Sequence, residues 1–189
     1  LYDTLKERGF VFQDTGPALR EHLAAGPVTC YAGFDPTADS LHVGHLVAIM
    51  ALKQAQLHGH RPIAVAGGAT GMVGDPSGKS EERQLLGDET LQRNLEGIRS
   101  DLSRFLDFSG ERALLLNNAD WMGKFSAIGF LRDVGKHFTV NYMVAKESVR
   151  MRMDDREHGL SFTEFSYMLF QAYDFYHLFR TCGCRLQIG

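Results

Sequence analysis

Long apolar runs are missing from this sequence. The longest, Leu46 to Leu52, has seven residues, far short of the roughly 20 that a membrane-spanning helix needs. Cysteine is scarce: Cys30, Cys182 and Cys184 are too few, and odd in number, for a disulfide framework. The Cys-x-Cys pair also has no second pair to complete a zinc site. A reducing, cytoplasmic setting is therefore expected. Excess positive charge is absent as well. The net charge of -3 excludes nucleic-acid binding through bulk charge and leaves room only for a local basic patch. Internal repeats and low-complexity segments are lacking. What remains is ordinary globular composition, 44% hydrophobic and 23% charged over 189 residues, enough for one full-sized domain with a buried core. The chain opens on the polar, amphipathic LYDTLKERGF and stops within an apparent strand, LQIG, so it is expected to be a piece of a longer protein.

Strands and helices alternate along the chain. Two short helices are expected at residues 2–8 and 17–25, the second bounded by Gly16-Pro17 and Gly26-Pro27. A buried strand from Val28 to Phe34 leads through a polar turn, Asp35 to Ser40, into a helix from Leu41 to His58 that ends at Gly59. A second strand, Pro62 to Ala66, runs into GGATGMVGDPSGK. This is a βαβ unit, which requires a parallel sheet with a right-handed crossover. A long amphipathic helix over 88–108 carries Leu91, Leu95, Ile98, Leu102 and Phe105 on one face. Ala113 to Leu116 is a third strand candidate. Residues 124–152 read as two helices broken near Gly135. Ser161 and Glu164 form a capping box that opens a helix reaching about Arg180, and Cys184 to Ile188 closes the series as a strand. The expected fold is α/β: a Rossmann-like parallel sheet with helices on both faces and a helical insertion. Residues 28–123 form the first nucleotide-binding half, 124–152 the insertion, and 153–189 the start of a second half. In such sheets ligands bind at the carboxyl ends of the strands.

The residues most able to carry chemistry start with His42-Val43-Gly44-His45, at the beginning of the helix after the first strand. Free amides and the positive dipole end of a helix suit a phosphate. Histidines three apart share one side of the first turn, and Gly44 removes a side chain where a nucleotide would lie against the backbone. Thr37 adds a hydroxyl to the same turn. An isolated H-x-x-H is more often two surface histidines, but its position after GFDPT reverses those odds. The glycine-rich stretch is not a P-loop. The pattern ending at Gly78-Lys79-Ser80 needs glycine where Val73 stands, and Pro76 removes an amide from the cradle. That stretch offers Asp75 near the sheet, with Lys79 and Arg83 further out. On the helix from 161, Tyr167, Gln171 and Asp174 share one stripe, which is either a solvated face or the lining of a polar pocket. The remaining histidines (His22, His58, His60, His137, His158, His177) are scattered and read as surface or core residues. Nothing supports a protein-bound transition metal.

YAGFDPTADSLHVGHL resembles the nucleotide-binding signature of class I aminoacyl-tRNA synthetases, specifically the bacterial-type tyrosyl-tRNA synthetase family. GGATGMVGDPSGK, FLRDVGKHFTVNYM, AKESV and GLSFTEFSYMLFQAYDF are similar to further blocks of that family, in the same order from Tyr31 to Gly189. The resemblance implies activation of L-tyrosine by ATP with Mg2+, followed by transfer to tRNA(Tyr). It assigns Thr37, His42, Lys79 and Arg83 to the phosphates, and His45, Gly33, Asp35, Pro36 and Gly44 to the ATP side. Asp75, Tyr167 and Gln171 are assigned to the tyrosine ammonium, Tyr31 and Asp174 to the phenolic hydroxyl, and Gln187 to the same pocket. Segment 124–152 is implied as a homodimer contact. Ala32 stands where many members carry cysteine, and Ala48 has no hydroxyl for ribose, so weaker ribose contacts are expected. The family's lysine-rich K-M-S-K-S signature does not occur in this chain, so adenylate formation by residues 1–189 alone is expected to be slow. A tryptophanyl-type synthetase, and a synthetase-like RNA-binding or splicing scaffold, are the alternatives.

Overall fold

The alternating strands and helices assemble into one parallel sheet. In the computed structural model, which describes residues 1–73, 88–154 and 159–189, β1 (Thr29–Phe34), β2 (Arg61–Ala66), β3 (Leu114–Asn117) and β4 (Cys184–Gln187) lie in the order β3-β2-β1-β4. Every pair is parallel, and Tyr31 sits in register between Ile63 and Gln187.

Successive side chains of a strand point to opposite faces, and the apolar residues of β1 and β2 divide accordingly. Cys30, Ala32, Phe34 and Ala64 pack with Ile49, Leu52 and Ala55 of α3 (Val43–Leu57) and Ile98 and Leu102 of α5 (Asp88–Ser103). Tyr31, Ile63 and Val65 pack on the other side with Trp121 and Met122 of α6 (Ala119–Met122), Phe130 of α7 (Ala127–Asp133), and Leu169 and Leu178 of α10 (Phe162–Cys182). Leu52, Ile63 and Leu178 are fully enclosed, and each such side chain contributes about 1.5–3 kcal/mol. α1 (Tyr2–Glu7) and α2 (Ala18–Ala24) precede the sheet, and α4 (Thr70–Val73) follows β2.

Several boundaries differ from the sequence reading, each for a physical reason. α3 begins at Val43 and not Leu41, because His42 adopts an extended backbone and serves as its N-cap. α5 stops at Ser103 instead of continuing to Phe108. The Gln56 side chain captures the backbone of Asp107 twice, donating from Nε2 to the carbonyl at 2.7 Å and accepting the N–H at Oε1 at 3.1 Å. That clamp offers the backbone partners outside the helix and turns the chain toward β3, which itself starts one residue later than expected. Segment 124–152 does not form two helices. It breaks into α7, a 3₁₀ turn at Gly135–His137, α8 (Val140–Val144) and α9 (Glu147–Asp154). Ser126 and Thr139 each accept a backbone N–H at a new helix start, so side-chain capping favours the restarts.

α10 opens with the expected capping box. Ser161 Oγ accepts the Glu164 N–H at 3.2 Å, and the Ser161 N–H donates to Glu164 Oε2 at 3.4 Å. The same Oε2 receives Arg152 Nη2 at 3.2 Å, with Arg152 and Glu164 only 4% and 1% exposed. Arg152 also donates to the Gly159 carbonyl, which ties α9 to the start of α10. Breaking a buried pair strands a charge, at a cost of about 3–5 kcal/mol. Arg152→Met is therefore expected to lower unfolding free energy by that amount in urea titration. Adding Glu164→Leu should recover part of it, and a loss under about 1 kcal/mol would mean that the pair is not desolvated.

Candidate active site

The strand ends gather polar residues that the sequence scatters. Asp35 follows β1, Thr70 lies just past β2, and Asn118 and Trp121 follow β3, while α10 brings Tyr167 and Asp174 to the same place. Asp174 is 5% exposed. Its Oδ1 accepts Trp121 Nε1–H at 2.7 Å and its Oδ2 accepts Asn118 Nδ2–H at 3.0 Å. Asn118 Nδ2 also donates to Thr70 Oγ1 at 3.1 Å, and Asn118 Oδ1 receives the Ala69 N–H at 2.7 Å. Thr70 Oγ1 passes its own hydrogen to Asp35 Oδ1 at 2.7 Å, and Tyr167 Oη donates to Asp35 Oδ2 at 3.0 Å. Two carboxylates are thus joined through Thr70 and Asn118. Buried networks of this kind hold their members rigid because an unmade hydrogen bond costs so much there.

Burial pushes the Asp174 carboxyl up to about 6, with the Asp35 charge adding to the rise and the Asn118 and Trp121 donors opposing it. Near it lies Tyr31, 3% exposed, whose hydroxyl has no hydrogen-bond partner among the described residues. Burial, reinforced by the nearby Asp174 charge, drives its phenol well above the ordinary tyrosine range. A buried hydroxyl without a partner costs about 1–3 kcal/mol, so a polar group entering between Tyr31 and Asp174 would satisfy both. The stripe on α10 is therefore divided: Asp174 is enclosed, Tyr167 half-buried, and Gln171 exposed. Gln187 is exposed at the end of β4, beside Tyr31 in register.

The turn after β1 has its own geometry. His42 Nδ1 accepts the Gly44 N–H at 3.0 Å, and His45 Nδ1 accepts the His42 N–H at 3.2 Å, so the two rings form a reciprocal cap on α3. Their centroids lie 3.9 Å apart. An Nδ1 that accepts leaves the hydrogen on Nε2, which makes each neutral ring an Nε2–H donor at the start of α3. A side chain at position 44 would stand 2.8 Å from the His42 ring and displace it. Partial burial, then the neighbouring His42, lowers the His45 pKa below its usual 6.5. The His45 half of the cap is thus kept above that lowered value and weakens as pH falls and His45 Nδ1 takes a proton. Thr37 is exposed, with its N–H on the Asp35 carbonyl at 2.9 Å, while Pro36 is buried and Gly33 is exposed near the end of β1.

The structure brings Tyr31, Asp35, Tyr167 and Asp174 into one cluster and His42, Gly44 and His45 into another. Asp75, Lys79 and Arg83 lie outside the described residues. Thr70, Asn118 and Trp121 were not anticipated. The available signal was their place just beyond predicted strands, where α/β sheets bind ligands. His177, expected as a surface or core residue, stacks on Trp121 with centroids 4.5 Å apart, and His60 is a core residue accepting the Val28 N–H at Nδ1. Among the described residues no three His, Cys, Asp or Glu side chains gather as a metal site, and no helix is long and apolar enough to cross a membrane.

Comparison with known proteins follows the same lines. The sequence description of the family "tRNA synthetases class I (W and Y)" matches residues 23–189. The chain is 59% identical over 188 residues to a tyrosine–tRNA ligase of Desulfosudis oleivorans, covering 99% of this chain and 43% of that protein. It is 57% identical over 190 residues to one of Anaeromyxobacter dehalogenans, covering 100% of this chain and 44% of that protein. The chain therefore spans less than half the length of these relatives. A C-terminally truncated mitochondrial tyrosyl-tRNA synthetase of Aspergillus nidulans has the same fold, with a TM-score of 0.84 at 32% identity, over 97% of this chain and 54% of that one. With the parallel sheet, the polar cluster at its strand ends and these matches in agreement, the chain belongs to the class I tRNA synthetases of the W and Y family.

Proposed function

We propose that the protein carrying this chain activates L-tyrosine with Mg-ATP to tyrosyl-adenylate and transfers the tyrosyl group to tRNA(Tyr) in the cytoplasm. The observation that supports this most is the enclosed Tyr31 hydroxyl, which has no hydrogen-bond partner among the described residues, near the Asp174 carboxylate that Trp121 and Asn118 hold in place. A phenol fits that pair: it donates its hydrogen to Asp174 and accepts one from Tyr31. The single N–H of an indole would leave Tyr31 unanswered. Tyr167, Gln171 and Asp75 take the substrate ammonium, and Gln187 borders the same pocket.

Activation needs no protein nucleophile, because the substrate carboxylate attacks the α-phosphorus of ATP and pyrophosphate departs. The protein positions the two substrates and stabilises charge developing on the phosphate oxygens. His42 Nε2–H and Thr37 stand on the turn that would face the phosphates, and Lys79 and Arg83 are assigned to the same phosphates. His45, Gly33, Asp35, Pro36 and Gly44 shape the adenosine side. Residues 28–123 supply the nucleotide half, 124–152 an inserted layer, and 153–189 the start of the second half.

ATP–pyrophosphate exchange by the full-length protein, offered each amino acid in turn, tests the reading. Exchange driven by tyrosine is expected, and exchange driven by tryptophan instead would overturn it.

The inserted layer supports a homodimer. Phe130, Val134 and Met143 pack inside the chain, but Ile128, Leu131, Val140 and Tyr142 remain exposed, as does Phe162 beside them. Of these, Leu131 and Phe162 line an open apolar cavity of about 340 Å³ together with Phe125, Phe130 and Phe170. Exposed large apolar side chains concentrated in one segment favour an interface. Sedimentation of the full-length protein should show a dimer at micromolar concentration, and Leu131→Asp should shift it toward monomer. A wild-type protein that sediments only as monomer would refute the assignment.

A further inference from the structure

α5 carries no residue of either cluster, yet one stripe of it grips the turn between β1 and His42 at three successive points. Asn94 is buried and donates from Nδ2 to the Pro36 carbonyl at 2.9 Å. One turn on, the backbone of Gly97 meets Asp39 so closely that a β-carbon there would overlap the Asp39 carbonyl oxygen and stand 2.8 Å from its carbon. One further turn along, Asp101 Oδ2 accepts the Leu41 N–H at 3.0 Å. Positions 94, 97 and 101 fall on one side of a helix. The residues they hold, 36, 39 and 41, run directly to Thr37 and the His42 cap. Ile98 and Leu102 of the same helix are locked in the core under β1, so the gripping face cannot slide independently of the sheet.

We infer that Asn94, Gly97 and Asp101 are positioning residues for the ATP side of the site. They act through the turn they hold, setting where Thr37 and the His42 Nε2–H stand relative to the sheet. This rests on the reading of that turn as the ATP side. Misplacing a reacting group by about 1 Å can cost on the order of a hundredfold in rate, and neither a β-carbon at 97 nor loss of the Leu41 anchor leaves the turn where it is. The grip borders the tyrosine cluster at one point, Asp35, the neighbour of Pro36; Tyr31, Asn118, Trp121 and Asp174 are carried by β1, the end of β3, α6 and α10.

Steady-state exchange by the full-length protein tests the inference, with His42→Ala as reference. Gly97→Ala, Asn94→Ala and Asp101→Ala are each expected to slow exchange about tenfold or more and to raise KM for ATP. KM for tyrosine should move less than about twofold, with the thermal midpoint within a few degrees of wild type. Asp101→Asn keeps an amide oxygen for the Leu41 N–H and should restore most of the loss, a rescue that bulk destabilisation would not give. Should Gly97→Ala fail to fold, the Asn94 and Asp101 variants decide. Unchanged kinetics in those two, or KM values for ATP and tyrosine rising together, would overturn the inference while a slow His42→Ala leaves the ATP-side reading intact. A silent His42→Ala would overturn both.

Discussion

Replacing Asp174 with alanine is expected to erase most of the preference for tyrosine over phenylalanine, chiefly by weakening tyrosine. The two amino acids differ by one hydroxyl, so rejection of phenylalanine must come from polar groups left unpaired when it enters. Sites built that way discriminate by about 10⁴–10⁵; this magnitude was itself established on a tyrosyl-tRNA synthetase and is carried over to this chain. In Asp174→Ala the acceptor is gone and only the Tyr31 hydroxyl remains, while Trp121 and Asn118 lose the group they hold. Pre-steady-state activation of both amino acids reads the ratio directly, and an unaltered ratio would put Asp174 outside the recognition step. The carboxyl lies near 6, raised mainly by burial, so the wild-type protein should lose tyrosine affinity as pH drops through about 6 and Asp174 takes up a proton. The variant should lack that limb. A carboxyl raised above its unfolded value also carries stability that is present in acid and lost as pH rises through the folded value. The charged form that the proposed recognition requires therefore works against folding at neutral pH.

His42→Ala should slow adenylate formation about a hundredfold, roughly 3 kcal/mol in the barrier, with tyrosine affinity nearly unchanged. Contacts that tighten only as charge develops on phosphate appear in the rate and not in ground-state binding. Because His42 also caps α3 through Nδ1, alanine should lower stability by about 1 kcal/mol. His42→Asn separates the two roles. Asparagine caps a helix as well but does not reach where Nε2 stands, so stability should return while the rate stays low. Single-turnover kinetics and urea titration of the pair decide this. Equal loss of tyrosine affinity with no change in rate would assign His42 to a different step.

The fold was largely legible in the linear pattern, because its signals are local. Apolar strands bounded by turn residues, the βαβ spacing and the Ser161–Glu164 box depend on near neighbours, and all of them stand in the structure. Boundaries failed where a distant group competed for the backbone. Nothing near residue 103 says that Gln56 will capture Asp107, whereas the division of 124–152 rests on the local caps Ser126 and Thr139, which the sequence carries.

The site is legible in a different proportion. The His42–His45 spacing, the stripe of Tyr167 and Asp174, and the resemblance that joins them to Tyr31 are properties of the string of residues. Its periodicity alone could not say whether the stripe faces water or a pocket. Burial of Asp174 depends on which helices cover it, and that is settled when β3 delivers Asn118 and Trp121 from more than fifty positions away. The same holds for Thr70 with Asp35, for Arg152 with Glu164, and for the grip of α5 on the turn before His42. Hydrogen bonds and desolvation act over a few ångströms, whatever the separation along the chain. Residue type and spacing therefore prescribe the elements and nominate the groups, while the energies that hold a carboxylate near 6, or a ring in one tautomer, exist only once the sheet has brought the partners together.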